Sequence, residues 1–291
     1  MPRTRRLKNP ISYQDQVSKL AGRDIIIKDP SACEDFLKHV NYYRLSGYIY
    51  PFLDHATDKC IVPVDFSRIA DIYYFDAKLR GLITSTIETI EIYCRSQFAY
   101  NNAHAYGSNG YMLPSSFGPI HNHSSFLIHV NRCIAENQNS PVVRHHMNVY
   151  GGNFPIWVII DYFSLGMLSY FYSDMKNHDK SSLAQNMYST NYQTLSSWLR
   201  CLTDLRNRCA HYSRLYDWNF SAVPRMPRWE TFVPDRSLYS QLYMLKLMYP
   251  YPSKWNKEFM KPLVSLMKKY GKSIDKNHIG FPYRWKSILS R

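Results

Sequence analysis

No C-x-x-C pair, glycine-rich phosphate loop, internal repeat or regular strand–helix alternation occurs in the 291 residues. The six cysteines, Cys33, Cys60, Cys94, Cys133, Cys201 and Cys209, are scattered, most of them inside apolar helical patterns. Such cysteines read as reduced small hydrophobes of a cytoplasmic protein and speak against a structural zinc site. Long apolar runs are scarce too. Residues 154–172 come nearest to a membrane span, but Asp161 sits near their middle, and Ser164, Gly166 and Ser169 interrupt them. A lone carboxylate at mid-bilayer is costly, so a buried core helix is expected there and no membrane contact. The first ten residues are basic with no apolar stretch behind them, so no secretory leader is expected.

Acids are few: 22 Asp and Glu against 36 Lys and Arg leave a net charge of +14. That excess favours a polyanionic partner, because each Lys or Arg contact to phosphate releases counterions. It is uneven. Residues 254–291 hold ten basic residues against Glu258 and Asp275, and Arg3, Arg5, Arg6 and Lys8 open the chain without an acid. A run of this kind is either a solvated face or a nucleic-acid contact. Under the second reading Lys268, Lys269 and Lys272, together with Arg208, are the RNA-binding candidates. The 25 tyrosines suit packed helices and wet binding surfaces alike, since each joins an apolar ring to a polar tip.

Periodicity predicts an all-α fold. Asp29 and Pro30 form a helix start, with the helix running to about residue 41. Asp65 is placed to cap a helix over 66–101, whose stripe is Ile69, Ile72, Phe75, Leu79, Leu82, Ile83, Ile87 and Ile90. On it Asp76–Arg80 and Glu91–Arg95 are i, i+4 pairs. Residues 107–153 read as a long polar insertion with at most one short helix near 126–135. Pro155 starts an apolar helix ending near 175. Further helices are expected over 181–187 and 194–211, then a proline-containing loop over 215–235. Tail helices are expected over 236–249 and 255–270. The organisation expected is one domain over 1–291: a helical core over about 66–215, an N-terminal segment over 1–65 and a basic helical C-terminal extension over 216–291.

Chemistry is suggested at the end of the fifth long helix, where Arg206-Asn207-Arg208-Cys209-Ala210-His211 stand in a row. Imidazole suits a base or acid in the cleavage of RNA by its own 2′-hydroxyl. Guanidinium suits the charge of the phosphorane-like transition state. Arg and His five apart on a helix lie about 140° apart around its axis, whereas Asn207 and His211 share a face. A complete site would therefore need a second copy of the motif. Spacing alone is weak, since 19 Arg and 11 His in this length give about 0.7 such pairs by chance. The plainer account is a cationic helix C-terminus complementing the helix dipole.

Context adds to the spacing. Residues 42–48 read YYRLSGY and residues 74–80 YFDAKLR. Residues 90–95 read IEIYCR, and Pro155-Ile156-Trp157 leads into Phe163-Ser164-Leu165-Gly166. The motif and the tail Ile279-Gly280-Phe281-Pro282 follow in order. With these segments the chain, from about residue 13 to 285, resembles the Abi-like abortive-infection family of AbiD and AbiF. That family is counted among the HEPN proteins, helical bundles that typically dimerise and cut RNA through an R-x4–6-H motif.

The resemblance implies an anti-phage, metal-independent endoribonuclease needing no cofactor and acting as a homodimer on RNA. Arg206 and His211 would be catalytic, with Asn207 orienting them. In one departure, this chain has Asp161 where family members usually carry Glu. Asp161 is expected to be a buried carboxylate paired with Arg206, or failing that with Arg95, as an active-site orienter or a structural ion pair. The alternative function is a non-catalytic protein that holds a small regulatory RNA. Residues 42–48 either stack bases or form a packed corner with Gly47 as its turn. His121-Asn122-His123 and His145-His146 read as polar loop content rather than metal ligands.

Overall fold

The computed structural model describes Leu7 and residues 9–290; the basic residues Arg3, Arg5, Arg6, Lys8 and Arg291 lie outside them. The fold is all-α. Helices α1 (Tyr13–Ala21), α2 (Pro30–His39) and α3 (Tyr42–Ile49) precede the 41-residue α4 (Phe66–Tyr106). The last is about 60 Å long at 1.5 Å per residue. Asp29 caps α2 as expected, accepting from the Ala32 amide at 2.9 Å. Asp65 stands at the N-cap of α4 but gives its carboxylate to Lys28 instead, at 2.7 Å. Among the described residues, four two-residue strands, absent from the periodicity, tie these helices together. β1 (Ile25–Ile26) pairs in parallel with β4 (Val64–Asp65), and β2 (Leu53–Asp54) pairs antiparallel with β3 (Lys59–Cys60).

The segment over 107–153 is more helical than its polarity suggested, with α5 (His123–Glu136) and α6 (Pro141–Val149). Asn122 starts α5 by accepting from the Ser125 amide, and Pro141 starts α6 from a position needing no amide donor. The expected single apolar helix is broken in two, α7 (Ile156–Ile159) and α8 (Leu165–Asp174), joined by a 3-10 turn at residues 160–162 and an extended Phe163. Apolar residues lie all round this segment. A straight rod would leave one side in water, whereas the bend buries Ile156, Ile159 and Ile160 as well as Phe163, Leu168 and Phe171. Ser164 restarts the helix by accepting from the Met167 amide at 3.1 Å.

Helices α9 (Asn177–Tyr188) and α10 (Tyr192–Ala210) follow, then the expected loop. In the tail, α11 (Leu238–Met248) precedes α12 (Pro252–Trp255), which runs through a π turn at residues 256–260 into α13 (Lys261–Lys269); α14 (Trp285–Ser290) closes the described chain. The Lys261 amide donates to the Asn256 carbonyl across the π turn, and Pro262, which has no amide to give, stands in the first turn of α13, where none is needed. One buried apolar core runs from Leu20 to Leu289, with α4 and α10 at its centre and α8 laid along α10. Among the described residues no helix is long and apolar enough to cross a membrane.

Candidate active site

The motif occupies the last turn of α10. Leu195, Trp198, Leu199, Leu202 and Leu205 are buried, so the opposite face and the C-terminal end carry the polar groups. Arg206 is half-buried and donates from Nη1 to Asn207 Oδ1 at 3.3 Å. Asn207 is exposed, and its carbonyl accepts the His211 amide at 2.9 Å. His211 is the C-cap, with an exposed imidazole that makes no hydrogen bond among the described residues. Arg206, Asn207 and His211 are thus brought to one helix end, with only Asn207 bonded to both neighbours.

Arg208 takes a different place. Its guanidinium lies 3.5 Å over the Trp218 ring, its Nε is buried without a hydrogen bond, and burial lowers its pKa. It stacks on the protein itself rather than reaching out. Cys209, inside the motif, is no nucleophile, because burial pushes its thiol up to about 12.

Beyond His211 the chain turns at Tyr212, whose φ of +55° is left-handed. A buried cluster fixes that turn. Asp76 has no solvent contact. It accepts from the Tyr48 hydroxyl at 2.7 Å, from the Leu215 amide at 3.1 Å, from the Tyr216 amide at 2.9 Å and from Arg80. Arg80 also reaches the Ser213 carbonyl at 3.4 Å. Burial pushes the Asp76 carboxyl up, while Arg80, the Tyr48 hydroxyl and the two amides oppose that push. Arg44 donates to the Tyr212 carbonyl and Arg214 to the Gly47 carbonyl. Four guanidinium groups besides Arg206 therefore gather round the helix end: Arg44, Arg80, Arg208 and Arg214.

Most of this cluster is hidden in the sequence. Asp76–Arg80 has the spacing of a surface ion pair, yet Asp76 lies four residues from Ile72 and seven from Ile69 and Ile83, on the buried stripe. A charged pair inside an apolar face was the available signal. Gly47 makes no turn; it sits within α3, where Arg214 packs against it. Of the three tyrosines in residues 42–48 only Tyr43 is exposed, while Tyr48 is spent on Asp76.

The expectation for Asp161 needs correction. It lies exposed in the 3-10 turn between α7 and α8, with no ion pair or hydrogen bond among the described residues. Arg95 pairs with Glu91 and donates to the Ile160 carbonyl, and no bond joins Asp161 to Arg206. The helix break turned this carboxylate outward. Lys268, Lys269 and Lys272 are exposed at the end of α13 and just beyond it, and Lys269 lies over the Tyr270 ring.

His121 and His123 are not loose loop content. His121 Nδ1 lies 2.8 Å from Asp174 and its Nε2 3.2 Å from His123, whose Nε2 meets the Met112 carbonyl at 2.9 Å. This chain of contacts fastens the start of α5 to the end of α8. His145 and His146 lie on α6, and His146 stacks on Phe154. Among the described residues no group of three or more His, Cys, Asp or Glu side chains could hold a metal ion.

The profile of the family described as Abi-like protein matches residues 35–217, from α2 to the turn closed by Asp76. No curated protein and no solved structure matches the chain.

Proposed function

Because the chain belongs to the Abi-like protein family, we propose that it acts in abortive infection against phage, as an endoribonuclease of the HEPN type working as a homodimer on RNA. The observation that carries the reading is the exposed, unbonded imidazole of His211, set one turn from Asn207 beside Arg206 at a helix end ringed by guanidinium groups. The region matched by the family ends at the turn that holds this helix end in place.

In the reaction the ribose 2′-oxygen attacks the adjacent phosphorus, forming one P–O bond as the P–O5′ bond breaks. A base takes the 2′-hydroxyl proton, and an acid returns a proton to the departing 5′-oxygen. His211 can fill either role. Arg206 stabilises the extra negative charge of the transition state, held in orientation by Asn207. One copy supplies one imidazole, so two copies across a two-fold axis supply the acid and the base together.

The test is incubation of purified protein with mixed RNAs, with and without EDTA, beside His211→Ala, with light scattering on the same samples. Cleavage should persist in EDTA, leave a 2′,3′-cyclic phosphate and a 5′-hydroxyl, spare DNA and vanish in His211→Ala, and the scattering mass should be that of a dimer. Arg206→Lys should stay impaired, because it restores charge without the planar fork. Cutting that EDTA abolishes or that survives in His211→Ala removes this mechanism. RNA binding without cutting returns the non-catalytic alternative, and a monomer at every concentration with RNA present removes the shared site.

A further inference from the structure

One face of α10 carries Gln193, Ser196, Arg200, Thr203 and Asn207, spaced by three and four residues, so they align along the helix axis. Ser169 and Tyr170 of α8 form one wall above that face, and residues 221–225 form the other, enclosing a groove of about 850 Å³. Two smaller hollows continue it past Gln193, one lined by Arg225 and Arg228, the next by Arg228 and Trp229. The whole runs from Asn207, one turn before His211, to the N-terminal end of α10, about 24 Å by helix rise.

Three guanidinium groups of this groove, Arg200, Arg225 and Arg228, are exposed and make no ion pair or side-chain hydrogen bond among the described residues. Arg225 is nonetheless held in place through its backbone: its amide donates to Ser197 Oγ at 3.0 Å, and Trp198 Nε1 donates to its carbonyl at 2.7 Å. Two aromatic rings stand open beside these charges, Tyr170 at 74 % and Trp229 at 56 % exposure. The Trp229 indole is anchored by its Nε1 donating to the Ser189 carbonyl at 3.2 Å, which leaves its face free. Spaced cations and open ring faces along a channel one helix wide suit an unpaired strand, whose bases stack while its phosphates meet the guanidiniums. A copy–copy interface would instead centre on apolar side chains with few charges. Asp204 is the one acid in the main groove. It repels phosphate but accepts from a ribose 2′-hydroxyl, the group that DNA lacks.

We propose that this groove is the path by which single-stranded RNA reaches the motif end, with phosphates on Arg200, Arg225 and Arg228, bases on Tyr170 and Trp229, and a 2′-hydroxyl on Asp204. The proposal rests on the ribonuclease reading only for what lies at the end of the path.

The experiment uses full-length protein carrying His211→Ala, so that bound RNA stays intact, and a fluorescent twelve-nucleotide single strand read by anisotropy over a salt series. Adding Arg200→Ala, Arg225→Ala and Arg228→Ala should weaken binding at least tenfold and flatten the salt slope by about two, near 0.7 for each phosphate left without its guanidinium. The thermal midpoint should hold, since all three side chains are exposed. Tyr170→Ala should weaken binding roughly tenfold. Asp204→Asn should narrow the preference for RNA over DNA of the same sequence. Iodouridine crosslinks should fall on Tyr170 or Trp229. An unchanged salt slope, crosslinks confined to α13, or a triple variant that loses dimer mass while keeping RNA affinity overturns the groove. Undiminished binding by the triple variant, with RNA still cut when His211 is intact, refutes the groove alone. Weakened binding by the triple variant, with no RNA cut by the native chain, supports the groove and refutes the nuclease.

Discussion

Asp76 takes donors from three parts of the chain: Tyr48 on α3, Arg80 on its own helix, and the amides of Leu215 and Tyr216 beyond the motif. Asp76→Ala strands the Arg80 guanidinium and both amides in the interior, and breaking one partner of a buried pair costs about 3–5 kcal/mol. Asp76→Asn keeps an acceptor oxygen and should lose less. Denaturant titration of both variants checks the order; equal and small losses would mean that the pair contributes nothing beyond its packing. The two carboxylates also show what the sequence does and does not tell. Asp161 reads as buried because its neighbours are apolar, and it is exposed because the helix breaks just before it, leaving it in the 3-10 turn. Asp76 reads as an i, i+4 partner of Arg80, with nothing in that spacing to say how deeply it lies, and it has no solvent contact. Neighbours along the chain decide neither case. The tertiary fit of α7 and α8 decides the first, and the shared face of Ile72 and Ile83 reveals the second.

At the level of elements, the end of α10 is set by a backbone that its sequence does not favour. Tyr212 adopts φ +55° without being glycine, and its ring is 69 % exposed. The turn persists because Arg44 holds its carbonyl and Asp76 holds the two amides that follow. Tyr212→Gly should remove the steric cost of the left-handed region while loosening the unfolded chain, for a net gain of about 0.5 kcal/mol. A fall in the denaturation midpoint would show that the tyrosine ring contributes a contact worth more than the strain. The long helices were legible from their three-and-four spacing, and α2 from its Asp-Pro start. The helices over 123–149 were hidden, because their apolar faces are narrow: Val130 is the one fully buried residue of α5 and Val143 that of α6. The two-residue strands carry too few residues to show any alternation.

Over the whole molecule, the C-terminal extension is built into the core. The Asp275 amide donates to the Tyr216 hydroxyl at 2.9 Å, the Asp217 amide to the His278 carbonyl at 2.9 Å, and the His278 ring meets Asp217 at 2.8 Å. At Gly280, with φ +70°, an added Cβ would lie 2.2 Å from Ser237 Cβ, so the tail segment fits only as glycine there. The buried carboxylate on α4 has a further consequence, one of timing. Tyr48, Asp76 and Arg80 leave the ribosome early, whereas the Leu215 and Tyr216 amides follow the motif itself. Until they emerge, the turn after His211 has nothing to close upon, and bonds spanning 139 and 140 residues form late. Under the proposed ribonuclease function, ribosome-bound chains stalled before residue 215 should therefore cut no RNA, while released full-length chains should; equal cutting by both would refute the timing. Under the proposed ribonuclease function, the messenger being read is out of danger from its own product for most of the time it takes to make it.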